Sequence, residues 1–217
     1  MSNLPTPLLR LKSLTSASLP PPGASHNDLI PLLTSLLHEA IPIADSISPK
    51  SETNTPTQWK QKGTKSYPAS AAKVCLSQRT LPTGDTWACR HSVHDDAAIT
   101  GTAGWAEFVE TFKTSHVESE VDFMPSVISA DVLTTWDCDG ISQSQSQPKQ
   151  DYTTASYTSV ERIRKTPTSQ IEWLMATASD AGGLLPLWVQ TRAVPGQIAK
   201  DVPLFLRWIA QRREEKK

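Results

Sequence analysis

The chain has 217 residues, enough for one domain with tails and too few for a string of domains. Hydrophobic residues make up 38% and charged residues 20%, a lean globular composition rather than a disordered one. The formal net charge of −1 excludes the broad basic footprint of a nucleic-acid binder, and no apolar run approaches the roughly 18 residues of a membrane-crossing helix.

Residues 1–25 read as a flexible Pro- and Ser-rich lead, and residues 26–217 as the folded domain. Asn27 is expected to cap a first helix beginning at Asp28, with Pro31 in its first turn. Leu29, Leu33, Leu36 and Ala40 repeat there at helical spacing, and Pro42 should kink or end the helix. Residues 48–58 are loop-like. Two strands are predicted over 73–79 and 86–93, joined by the turn-forming residues 81–85. Thr102 is expected to cap a second helix whose Trp105, Phe108, Val109, Phe112 and His116 share a face. Pro125 resets the chain into a strand over 127–136.

Residues 141–150 contain alternating Ser and Gln, lack buriable side chains and read as a linker. A hairpin comes next, with strands over 152–164 and 171–178 around a turn at 165–169. The last helix is expected over 185–213. It carries Ile198, Val202, Phe205 and Ile209 on one face and bends at Pro195-Gly196 and Pro203.

Cys75, Cys89 and Cys138 are unevenly spaced, and no secretory signal precedes them. Reduced thiols and a cytoplasmic location are expected. Arg10 and Lys12, with no acid before Asp28, leave mitochondrial import as an alternative. Pro5, Pro7 and Pro20-Pro21-Pro22 oppose the amphipathic helix that import requires.

Four separated motifs carry a family resemblance. They are Trp87-Ala88-Cys89-Arg90-His91-Ser92-Val93-His94-Asp95-Asp96-Ala97, Gly101-Thr102-Ala103-Gly104-Trp105, Tyr157-Thr158-Ser159-Val160-Glu161-Arg162-Ile163 and Glu172-Trp173-Leu174-Met175-Ala176-Thr177-Ala178-Ser179-Asp180-Ala181-Gly182-Gly183. In this order they resemble a fungal START-like family known mainly as a domain of unknown function, over residues 29–209. His91 stands where that family carries a second arginine. The resemblance implies an α+β helix-grip fold, in which an antiparallel sheet surrounds a long C-terminal helix. It also implies several strands between Trp136 and Tyr152. Three or four such strands need roughly 30 residues, so the sheet is expected to be incomplete.

The most tempting chemical cluster is Cys89, His91, His94, Asp95 and Asp96. On a strand Cys89 and His91 share a face and His94 points to the other, so no metal site is expected. His94-Asp95 lacks the Gly-x-Ser-x-Gly elbow of a hydrolase. Neither a phosphate-binding loop nor a dinucleotide fingerprint is present, so no cofactor is expected.

What remains is an apolar wall of Trp87, Trp173, Met175, Trp188 and Phe205, which reads first as core and second as ligand surface. Arg90 or Arg192 would supply a polar anchor. Glu161 and Arg162 alternate sides of their strand, so one of them would face any cavity. The expected function is non-catalytic binding or transfer of a hydrophobic small molecule, whether lipid, sterol or polyketide-like. A cyclase/aromatase-type enzyme using the same cavity and a protein-interaction scaffold are the alternatives. The expected partner is the hydrophobic molecule or lipid. No nucleic acid and no integral membrane segment are foreseen, and transient membrane contact is compatible with the sequence.

Overall fold

A computed structural model of the 217-residue chain describes residues 7–11, 19–21, 23–47, 58–81, 84–125, 127, 156–180 and 187–217. The elements run α1 (His26–Asp45), β1 (Lys60–Lys65), β2 (Val74–Thr80), β3 (Thr86–Asp95), α2 (Trp105–Val109), a π turn (Glu110–Thr114), α3 (His116–Phe123), β4 (Ser156–Lys165), β5 (Gln170–Asp180), α4 (Leu187–Ile198) and α5 (Asp201–Glu215). Of the expected strand over 127–136 only residue 127 is described, and it is not in a strand. The rest of it, the 141–150 linker and the missing central strands lie outside the described residues.

The strands form one open antiparallel sheet in the order β1-β2-β3-β5-β4. Helices cover both faces. On one face Trp87, Cys89, Val160, Leu174, Ala176 and Ala178 pack against Ile43, Ala44 and Ile47 at the end of α1. On the other, Val74, Leu76, Ile171 and Trp173 meet Phe108, Phe123, Val202, Phe205, Leu206 and Ile209 from α2, α3 and α5. The two-residue period of β3 and β5 divides the two cores, since successive side chains leave a strand on opposite sides. The expected stripe Ile198, Val202, Phe205 and Ile209 is buried as a set.

The helix boundaries depart from expectation for local reasons. Ser25, not Asn27, precedes α1, and its backbone N–H donates to the Asp28 carboxylate at 2.9 Å. That contact is the side-chain-to-cap half of a capping box. Gly104, not Thr102, precedes α2, where the Gly104 N–H donates to Glu107 at 2.8 Å. Thr102 instead donates its hydroxyl to the Asp95 carbonyl. The π turn inserts one residue into the helical repeat, visible where Ser115 N–H reaches back to the Glu110 carbonyl at 2.9 Å. Phe108 and Phe112 therefore still point into the core, while His116 starts a new helix and is exposed. The single C-terminal helix is two helices, with Pro195 inside α4 and Pro203 in the first turn of α5, where a missing N–H costs no helical bond.

β1 was not foreseen. Its sequence, Lys-Gln-Lys-Gly-Thr-Lys, has no alternation because it is an exposed edge strand with a bulge between Gln61 and Gly63. Gly63 takes φ of +138° there, a conformation that suits glycine.

The C-terminus is fastened by Arg213. Its guanidinium donates to both oxygens of Glu107, at 2.7 and 2.6 Å, and to the carbonyls of Ile99 and Thr102. Burial would raise the Glu107 pKa, but the hydrogen bonds from Arg213 and the Gly104 N–H, with the Arg213 and Lys216 charges, together hold it below the usual value. Such a bidentate pair is stronger than a simple surface contact.

Candidate ligand-binding site

Across the helix-covered face, the register places Leu76, Arg90, Met175 and Glu161 in one row over β2, β3, β5 and β4. Arg90 is 2% exposed, on a face that mixes apolar side chains with the buried polar residues Ser92, His94 and Thr177. Its Nη2 donates to Glu161 Oε1 at 2.9 Å, and its Nε to Asp201 Oδ2 at 3.3 Å. The guanidinium also lies over the Trp173 ring, 4.0 Å from its centre, and the Trp173 indole N–H donates to the same Glu161 oxygen at 2.7 Å. The third guanidinium nitrogen, Nη1, is buried and has no hydrogen-bond partner among the described residues. A buried donor left unmade costs about 1–3 kcal/mol, more when charged.

Asp201 opens α5 directly after the α4–α5 junction, so this contact ties the junction to the sheet. Burial pushes the Asp201 carboxyl up to about 6, against the opposing pull of Arg90, with Glu161 and Glu120 adding to the rise. Two carboxylates thus share one guanidinium, and Asp201 is the more buried of them. The Tyr67 hydroxyl is also raised, first by burial and then by Asp201.

The opposite end of the row system is filled. Phe108, Phe112, Trp173 and Phe205 pack with ring centres 4.8 to 5.5 Å apart across their closest pairs, and Phe123 closes the group. His94 lies among them, its Nε2 paired with Ser92 Oγ at 2.9 Å and its Nδ1 buried without a partner among the described residues. Burial lowers its pKa to about 4, so the ring is neutral at pH 7. Its neighbour Asp95 is exposed on the opposite side of the strand and holds Gln170, so it does not orient the imidazole. Cys89 is buried in the α1-side core, where burial pushes the thiol up to about 12 and keeps it un-ionised.

The sequence-derived candidates therefore separate. Arg90, Trp173, Met175 and Phe205 come to one face. Trp173 and Phe205 are fully buried, and Met175 is half-buried. Trp87 is buried on the α1 side of the sheet, in the other core. Arg192 is exposed on α4. The Trp188 side chain lies outside the described residues. Of the Glu161-Arg162 pair, Glu161 faces Arg90, while Arg162 faces α1 and pairs with Asp45 and Glu172. Asp201 was not foreseen as a site residue. Its only trace in the sequence is an acid at the start of a helix, which macrodipole capping explains equally well.

Beyond Arg90 the same face carries Ala88 and Thr177, short and buried, and α4 lies across β2, β3 and β5. Among the described residues no group of three or more His, Cys, Asp or Glu could hold a metal ion. No helix among them is long and apolar enough to cross a membrane. A family model described as a protein of unknown function (DUF3074) matches residues 87–147 and 137–209, together more than half of the chain. The two stretches overlap over residues 137–147, which contain the Ser/Gln run. No curated protein matches.

Proposed function

The chain belongs to the DUF3074 family of proteins of unknown function, and from that premise we propose that it is a START-like helix-grip protein that binds an apolar small molecule with an anionic head. The ligand lies between the sheet and α4, with its head group on Arg90. Two features support the placement. Aromatic rings fill the His94 end of the face, whereas the side chains at the other end, Ala88 and Thr177, are short. The observation that carries the reading is the buried Arg90 guanidinium, whose Nη1 lacks a partner among the described residues. A ligand carboxylate would satisfy that donor with a charge-assisted hydrogen bond. Removal of the apolar body from water would add about 25 cal/mol per Å².

The junction between α4 and α5, flanked by Pro195-Gly196 and Pro203, is the natural hinge for entry. Native mass spectrometry of freshly purified protein tests the reading. A single apolar molecule retained at one per chain, and depleted in Arg90→Lys, is expected. An unliganded chain that also fails to take up added fatty acid or sterol overturns it.

A catalytic reading has one observation in its favour, the Asp201 carboxyl at about 6, which would exchange protons near neutral pH. Asp201 is turned to Arg90, and no second acid or base with a matched pKa faces it from the described residues. Binding remains the better-supported function.

A further inference from the structure

We infer that a second site, for a small amphiphilic anion, lies on the surface at the α4–α5 junction, in the groove between the β1–β2 connection and the start of α5. The groove encloses about 560 Å³, within the range of small-molecule sites. Tyr67, Pro68, Pro203 and Leu204 form an apolar floor, and Lys200 and Arg207 stand beside it. Both cations are exposed. Lys200 Nζ reaches only an uncharged partner, Gln197 Oε1 at 3.1 Å, and Arg207 has no ion pair among the described residues.

Among the described residues no carboxylate lines the groove. Asp201, next to Lys200 in the chain, turns its Oδ2 inward to Arg90 Nε. Two positive charges without ion pairs among the described residues therefore flank apolar surface. This complementarity selects a carboxylate or sulfonate joined to a short apolar body. A neutral isostere gains the floor alone, and a cation is repelled. Two charges are too few for a nucleic-acid track or for holding an anionic membrane.

The site shares no charged residue with the one proposed beneath α4, so the two stand or fall separately. Photo-crosslinking of the full chain with diazirine-bearing decanoate, and with its methyl ester, tests the inference. The acid is expected to label peptides containing residues 67–69 and 203–207. Because both cations are exposed, Lys200→Gln with Arg207→Gln should fold normally and reduce that labelling about tenfold, the scale of one charge-assisted contact. Ester labelling should be weak and unchanged, and Arg90→Lys should leave the surface labelling intact. Equal labelling by acid and ester overturns the site, as does labelling confined to residues beneath α4 or indifferent to the double substitution.

Discussion

Phe205→Ala should lower the free energy of unfolding by about 3–5 kcal/mol. The ring is fully buried, and its centre lies 4.9 Å from that of Phe108, 5.0 Å from Phe112 and 5.3 Å from Trp173. Burying a Phe side chain contributes about 1.5–3 kcal/mol through transfer alone. The remainder is the cavity, which three neighbouring aromatics on separate elements cannot easily close. Chemical denaturation at constant slope checks this. A loss below about 0.5 kcal/mol would place the ring at the surface and α5 away from the sheet.

Arg90→Met should cost about 3 kcal/mol or more, because it strands Asp201 as a buried charge without its cation. Glu161 is less affected, since it sits on an edge strand with its side chain a quarter exposed and can turn to water. Combining Arg90→Met with Asp201→Asn should therefore recover most of the loss, with a coupling of about 2 kcal/mol or more in the double-mutant cycle. Additive losses would contradict the pairing.

The same carboxyl sets a pH dependence. Its folded pKa is raised from 3.8 to about 6, so the folded state holds the proton more tightly than the unfolded chain. The resulting stabilisation is fully present below about 3.8 and is lost as pH rises through about 6. Relative to Asp201→Asn, the unsubstituted chain should gain up to about 1.4 kcal/mol for each pH unit lowered within that window. His94 acts oppositely. Its folded pKa is lowered from 6.5 to about 4, so its contribution is present above 6.5 and lost as pH falls toward 4. Because His94 is present in both proteins, their difference isolates Asp201. Parallel profiles would show that Asp201 does not titrate in this window.

Much of the fold is legible because burial and backbone period coincide. Residues 73–79 and 86–93 form β2 and β3, and the hairpin around 165–169 forms with its turn where the sequence put it. The Ile198, Val202, Phe205 and Ile209 stripe survives the division of its helix: all four are buried, the last three in the core shared with the sheet. β1 was illegible since an exposed edge needs no apolar alternation. The π turn was illegible because a single inserted residue leaves Phe108 and Phe112 in phase and displaces only the residues beyond it, His116 first. Ser25-x-x-Asp28 was present as a capping signal, and Asn27 competed with it as an equally good cap by residue type.

The site was half legible. Arg90 was singled out, but its partners Glu161 and Asp201 lie 71 and 111 residues away, and no local pattern links them. Facing decides the rest. Trp87 and Arg90 are three positions apart on a strand and therefore belong to different cores. Only knowledge of which face carries α5 separates ligand surface from the α1-side packing.

Tryptophan quenching by fatty acids brominated at successive chain positions tests the central claim most directly, because bromine quenches only at short range and Trp173 lies against the guanidinium of Arg90. The account predicts saturable quenching at one ligand per chain, strongest for bromines near the carboxyl group. The component lost in Trp173→Phe should be the one weakened in Arg90→Lys. Quenching that is absent below the micellar concentration, or unchanged by both substitutions, would contradict a ligand held on Arg90 between the sheet and α4.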